Sequence, residues 1–170
     1  MRARRPPMAD GYGIRERDDD TQMVDWAWVA ERAAATPNWW VCTTNSDGSP
    51  HAAPVWGVWV DDAVWFSTGS NTVKGRNLRR DPRVVVHVES GDEMVLVHGE
   101  AEFLMLDEAS EQMAGVDAAY AGKYTDPETG KPFALSETLE GGGHVIRIRA
   151  QRVLAWKEYD FVNSAAEFVP

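Results

Sequence analysis

Residues 64–84 read VWFSTGSNTVKGRNLRRDPRV. The apolar run Val64-Trp65-Phe66 has the character of a short strand. It opens into the hydroxyl-rich turn Ser67-Thr68-Gly69-Ser70-Asn71-Thr72. A helix-forming segment with Lys74, Arg76, Arg79 and Arg80 follows, and Asp81-Pro82 closes it. Strand, turn, helix and strand in this order make an anion cradle. The first N–H groups of a helix lack intrahelical acceptors, and the helix dipole favours negative charge there. Lys74 adds a mobile point charge. Five of the ten residues from Lys74 to Arg83 are basic, in a chain of formal net charge −10. That local reversal of sign suits a small anionic ligand such as a phosphate group. A solvated helix with water-facing arginines would give the same charge run, and no nucleotide-binding glycine fingerprint accompanies it.

Working outward, the pattern alternates between strands and tight turns. Trp39–Thr43 reads as a strand and Asn45-Ser46-Asp47-Gly48 as a hairpin turn. Residues 50–60 read as the returning strand, Asp61-Asp62 as the next turn, and 63–67 as a third strand. Arg83–Glu89 and the long run 93–106 give two more strands. Two final strands, 144–149 and 152–156, flank Ala150-Gln151. Helices are predicted over 23–35, where Trp26, Val29, Ala30 and Ala33 recur at helical spacing, and from an Asp107 cap to Lys123, with Ala109, Met113, Val116 and Tyr120 on one face. Residues 125–143 are turn-rich, and the tail from Lys157 has no clear pattern. About seven strands joined by hairpins, with three flanking helices, predict a mainly β (α+β) fold closed into a barrel. Closure also hides the edges of such apolar strands. The Arg-, Pro- and Asp-rich residues 1–20 read as a disordered arm, and 21–170 as a single domain.

Composition narrows the partners. The acidic net charge argues against nucleic acid and anionic membranes. No apolar run approaches a membrane span, and the basic opening MRARRPP lacks the apolar core of a signal peptide. Cys42 is the single cysteine, so no intrachain disulfide forms, and its apolar neighbours mark it as a small buried hydrophobe. A cytoplasmic protein is the expectation. Eight tryptophans suit either a flat aromatic ligand or ordinary core and interface packing. The histidines show no metal-ligand spacing, so no metal site is expected. His87 and His98 are placed to face each other across paired strands, and His144 to start one.

The order of these segments resembles a known family. A helix precedes the hairpin WWVCTTNSDGSPHAAPVW; then come VWFSTGSNTVK, RNLRRDPRV, a long strand with HGEA, and a closing AWKE. Over roughly residues 24–158 this resembles the pyridoxamine-phosphate-oxidase-like split β-barrel superfamily, and within it the flavin/deazaflavin-dependent oxidoreductases that use coenzyme F-420. The resemblance implies a homodimer with cofactor sites between the subunits. It implies that Ser67, Thr68, Ser70 and Lys74, with Arg76 and Asn77, hold the cofactor phosphate. It implies that Pro54, Val55 and Trp56 run along the isoalloxazine or deazaflavin ring, and that Glu93-Met94-Val95 approaches from the other subunit. Val73 stands where FMN enzymes often carry Arg, which favours F-420 over FMN. No arginine follows Arg152, so the C-terminal Trp/Arg segment of true pyridoxamine-phosphate oxidases is missing and pyridoxal phosphate formation is not expected.

The activity implied is hydride transfer from F-420 to a small unsaturated organic substrate. An FMN-binding oxidoreductase of the same fold and a non-catalytic flavin or deazaflavin carrier are the alternatives. Such chemistry needs little acid–base machinery from the protein. Tyr120 and His51 are the candidate proton donors, each with an ordinary alternative as core packing or a solvated strand residue. Lys123 and Tyr124 sit beside Tyr120 in the stretch AYAGKY.

Overall fold

A computed structural model describes residues 1–9, 11–14, 22–104, 110–140 and 143–169. The strands are β1 (Arg2–Arg4), β2 (Trp39–Thr44), β3 (Pro50–Val55), β4 (Gly57–Val60), β5 (Ala63–Gly69), β6 (Arg83–Val88), β7 (Glu93–Leu104), β8 (Gly143–Lys157) and β9 (Ala166–Val169). The helices are α1 (Trp26–Ala35), α2 (Val73–Arg80), α3 (Ser110–Ala121), α4 (Glu137–Glu140) and α5 (Phe161–Ser164). The predicted Asp107 cap and Ala109 lie outside the described residues.

Among the described residues every strand pairing is antiparallel, and the sheet runs β1-β9-β8-β7-β6-β2-β3. One strand organises the barrel. β8 keeps β7 along one edge from Val145 to Lys157, while its other edge is shared. Residues 143–149 of that edge pair with β5, and residues 153–155 pair with β9. The sheet therefore forks, with β4–β5 forming one wing. The two strands expected at 144–149 and 152–156 are this one strand. Its ladder with β7 shifts register between His98 and Gly99, opposite Ala150-Gln151. The shift requires glycine, because a Cβ on Gly99 would lie 2.2 Å from the Arg149 carbonyl oxygen.

The predicted single strand over 50–60 is two strands broken at Trp56. β3 pairs with β2, and β4 turns away to pair with β5. The turn at Asp61-Asp62 is as expected, with both residues at positive φ, 51° and 56°.

Two clusters make the core. Trp39, Val41, Phe66, Val86, Val97 and Ile148 fill the barrel. Val58, Trp65, Met113, Val116, Tyr120 and Val145 lie beneath α3. β5 contributes to both, Phe66 to the first and Trp65 to the second. That is why its sequence shows continuous apolarity in place of alternation. Asp25 caps α1, accepting the Trp28 N–H at 2.8 Å.

The first residues differ from the disordered arm expected over 1–20. Arg2–Arg4 pair with Glu167–Val169 as β1. The reason is charge. Glu167 on β9 is buried, and its carboxylate accepts from Arg4 and from Arg152, each at 2.5 Å. Burial pushes the Glu167 carboxyl up, but the bonds from the two guanidinium groups outweigh it and hold the group below its usual range. Arg5 is also buried and donates to the Ala165 carbonyl at 3.2 Å. The partner of the arm lies some 160 residues away, so no local pattern reveals it.

A carboxylate held low in the folded state contributes stability above its unfolded pKa, and that contribution is lost as pH falls through the folded value. Glu167→Gln is expected to lower the unfolding free energy by roughly 2 kcal/mol at neutral pH. Urea unfolding of parent and variant across acid pH is the check, and the two curves should converge as Glu167 protonates. Equal stability at neutral pH would contradict the role given to this pair.

Candidate functional site

The hydroxyl-rich turn is a built loop. Thr72 caps α2: its Oγ1 accepts the Gly75 N–H at 3.1 Å and donates to the Gly69 carbonyl at 2.9 Å. Its proton being so engaged, the 2.8 Å contact with Thr68 is donated by Thr68 Oγ1. Gly75 lets the loop close on the helix. A Cβ there would lie 2.5 Å from the Gly69 carbonyl oxygen. Ser67, Gly69, Ser70, Asn71 and Lys74 line a polar cleft of about 600 Å³, with Thr138 and Gly143, the ladder partner of Gly69, completing its lining. The N–H groups of Val73 and Lys74, in the first turn of α2, have no acceptor within that helix. This arrangement fits a phosphate: backbone and hydroxyl donors, one mobile ammonium, and glycines where a side chain would fill the cradle.

The predicted phosphate residues divide. Ser67, Ser70 and Lys74 line the cleft, and Thr68 lines it while its hydroxyl proton braces Thr72. Arg76 is exposed and donates to the Asn71 carbonyl, steadying the loop from outside. Asn77 is buried, and its amide donates to Thr43 Oγ1 at 3.0 Å and Asn45 Oδ1 at 2.9 Å. Both amide hydrogens are therefore taken, and Asn77 fastens α2 to the β2–β3 hairpin, away from the cleft. Thr72 is the residue missed by sequence reading. Its signal was present, a Thr before a helix that starts on an anion-binding turn.

The predicted ring residues lie where the barrel splits. The register Gly57↔Phe66 puts Trp56 at the Ser67 end of the β4–β5 ladder. Trp56 is 47% exposed and stacks on Tyr124, with ring centroids 4.8 Å apart and planes 9° apart. Val55 is half-buried and Pro54 exposed. Gly57 is clamped by the segment after α3. Its N–H donates to Tyr124 Oη at 3.0 Å, Tyr124 donates to the Pro37 carbonyl at 2.8 Å, and Lys123 Nζ donates to the Gly57 carbonyl at 3.0 Å. Lys123 is thus half-buried, and burial pushes its ammonium down to about 8.

The two proton-donor candidates are poorly placed. Tyr120 is buried against Tyr124, and burial with that neighbour pushes its hydroxyl up to about 12. It is core packing and a weak acid. His51 Nδ1 lies 3.3 Å from Thr43 Oγ1, in the network that holds Asn77. His87 and His98 do not pair: His87 faces Leu96, and His98 faces Val85. His144 opens β8 as expected, with Nε2 2.6 Å from Arg79. Val95 is fully buried in its own barrel and Glu93 pairs with Arg32, so of the stretch 93–95 Met94 is the side chain left half-buried and unpaired by charge. Burial raises the Cys42 thiol, as suits a half-buried hydrophobe. Among the described residues no cluster of three His, Cys, Asp or Glu side chains is placed for a metal, and no helix is long and apolar enough to cross a membrane.

Gly75→Ala tests the seating of the loop. Inside an exposed helix this change would normally stabilise by roughly 0.5–1 kcal/mol. Here the Cβ meets the Gly69 backbone, and a loss of about 1–3 kcal/mol in chemical denaturation is expected. A stabilised variant would contradict the close approach.

Among solved structures the chain is similar to the conserved hypothetical protein Rv2991 from Mycobacterium tuberculosis, at 28% identity over 81% of this chain and 88% of that one, with a TM-score of 0.63. It is similar in fold to an FAD-binding protein from Mesorhizobium loti, at 21% identity over 85% and 94% of the two chains, TM-score 0.58. An F420 reductase shares the fold at 20% identity over 71% and 90% of the two chains, TM-score 0.50. No curated protein matches the chain. The family model described as pyridoxamine 5'-phosphate oxidase matches residues 27–157, a span that holds both the polar cleft and Trp56, and the chain belongs to that family.

Proposed function

We propose that this protein binds coenzyme F-420 and uses it to reduce a small unsaturated organic substrate. The observation that carries the reading is the junction of two parts. A phosphate cradle over 67–74 and an exposed aromatic platform at Trp56 meet at one end of the β4–β5 ladder. That is the layout for a molecule with a planar ring at one end and a phosphate at the other. The F-420 reductase and the FAD-binding protein that share the fold are in keeping with a flavin-type ligand. Val73 before Lys74 leaves the cradle with one flexible cation, which favours F-420 over FMN.

When bound, the cofactor supplies the hydride. The protein's part is to bind, orient and shield. Ser67, Ser70, Lys74 and the first N–H groups of α2 hold the phosphate. Pro54, Val55 and Trp56 lie along the ring, with Tyr124 behind Trp56 to fix its plane. Tyr120 is buried against Tyr124, away from the exposed face of the platform, so solvent reaching the half-exposed platform supplies the accompanying proton. The single half-buried thiol is consistent with a cytoplasmic setting.

We also read the active unit as a homodimer. By register, Pro54, Trp40, His87, Leu96 and Leu154 form a row across β3, β2, β6, β7 and β8 on the outer face of the sheet. The row is half-exposed or exposed, and the one carboxylate that continues it, Glu167 opposite Leu154 on β9, is buried and bonded by Arg4 and Arg152. A second copy can approach it without the repulsion that opposes contact elsewhere. Trp40→Glu is expected to turn a dimer into a monomer in sedimentation; a parent protein that sediments as a monomer would contradict this reading.

Titration of the purified protein with F-420 and with FMN, followed by tryptophan fluorescence, tests the cofactor. F-420 is expected to quench at micromolar concentration or below, and Lys74→Ala to weaken binding about 10-fold or more. Preference for FMN would move the protein to the flavin branch. Tight binding with no reduction of any acceptor would make it a carrier. Unchanged affinity in Lys74→Ala would remove the cleft from the account.

A further inference from the structure

A second cavity lies at the other end of β8 from the phosphate cradle. It measures about 320 Å³, and its lining is mainly apolar, with Met8, Tyr12, Leu154, Trp156 and Phe161 among its residues. Ligand sites run from about 300 to 1,000 Å³, so this one suits a small molecule. Close packing leaves few voids larger than a water molecule, yet here three aromatic rings stand around one. Phe161 meets Tyr12 at 61° and Trp156 at 88°, with centroids 6.1 Å and 5.8 Å apart. Rings set so steeply leave faces free that stacking would cover. The N-terminal residues that contribute to the lining are anchored: β1 pairs with β9, and the buried Arg5 donates to the Ala165 carbonyl at 3.2 Å. Met8 and Tyr12 remain 40% and 56% exposed beside the cavity, which leaves it open to an arriving molecule.

One charged group of the described residues lines this cavity, and it is a carboxylate. Glu158 accepts the Trp156 indole N–H at 2.9 Å. The bond fixes a negative charge at the edge of the indole and polarises the ring toward greater electron density. Glu158 also lines the adjoining cleft with Asp92 and Glu93. Arg32 pairs with Glu93, but neither Glu158 nor Asp92 has a cation partner among the described residues. Free ring faces beside an uncompensated carboxylate attract an organic cation. A primary ammonium has three N–H groups to satisfy, and apolar walls with one carboxylate do not satisfy them; a quaternary ammonium has none.

We infer that this cavity binds a quaternary ammonium ion with apolar substituents, its charge held by Trp156 and Glu158 and its apolar part among Tyr12, Phe161 and Met8. The inference is independent of the F-420 reading. Gly143, at the start of β8, lines the cradle, whereas Leu154 and Trp156, near its end, line this cavity. Leu154 also ends the row read above as the dimer face, so a second copy of the chain is the competing occupant.

The probes are phenyltrimethylammonium and its neutral carbon isostere tert-butylbenzene, titrated into the full chain carrying 13C-labelled methionine methyls. The Met8 methyl resonance, assigned with Met8→Leu, reports occupancy of this cavity. The cation is expected to shift it with a Kd below about 1 mM, and to bind about 5-fold more tightly than the isostere. Glu158→Gln keeps an acceptor for the Trp156 N–H; it should weaken the cation about 5-fold and leave the isostere unchanged. Tyr12→Leu keeps an apolar wall and should reduce the preference for the cation about 3-fold. Equal affinity for the two probes, unchanged cation binding in Glu158→Gln, or a Met8 resonance that neither probe moves would each overturn the site. A Met8 resonance that responds to protein concentration and to neither probe would also overturn it, and would give the cavity to a second copy.

Discussion

The architecture depends on what happens at Gly57. The chain has to leave the β2–β3 hairpin and enter a different wing of the barrel within one residue. Only a glycine fits there, because a Cβ would lie 2.9 Å from the Trp65 carbonyl oxygen and 3.2 Å from the Trp39 ring. A peptide group at such a break loses its ladder partners, and a buried unpaired N–H or C=O is costly. Tyr124 and Lys123 supply the replacements. The break in turn pushes Trp56 outward, opens the space beside Ser67, and fixes the plane of the platform. A segment far along the chain thereby sets the geometry of the candidate site.

The second constraint is electrostatic. An anion site of the kind proposed, in a chain of charge −10, has to concentrate its few cations and keep them from collapsing onto carboxylates. The structure does this by division of labour. Arg83 pairs with Asp81 at the end of α2, holding that carboxyl down to about 2. Arg76 braces the loop through a backbone carbonyl. Lys74 is left facing the cleft. Helix, cap and glycine contact then present backbone donors that need no charge of their own. On the far side of the sheet the same economy appears in Glu167, whose two arginines tie both chain ends to β8 and β9.

Much of this was legible in the sequence where the deciding contacts are local. The hairpin at 45–48, the Asp61-Asp62 turn, α2 itself, and the apolar face of α3 at Met113, Val116 and Tyr120 all follow from turn chemistry and periodicity. The phosphate turn stood out for the same reason. What escaped was set at long range. Residues 50–60 look like one strand because Trp56-Gly57 interrupts no apolar pattern; the break is imposed by Tyr124 and Pro37. β8 looks like two strands because its bulge is enforced by Gly99 on a neighbour. Residues 2–4 look like a disordered arm because their acidic partner is Glu167. Asn77 looks like a ligand residue because its sequence neighbours are, yet helical rotation turns it toward Thr43 and Asn45.

A crystal structure of the protein grown with F-420 tests the central claim most directly. The account predicts the phosphate seated on the Ser67–Lys74 loop and the deazaflavin ring lying along Pro54-Val55-Trp56, with Gly57 still clamped by Tyr124. A phosphate bound elsewhere, or a ring placed away from Trp56 with the loop empty, would contradict it.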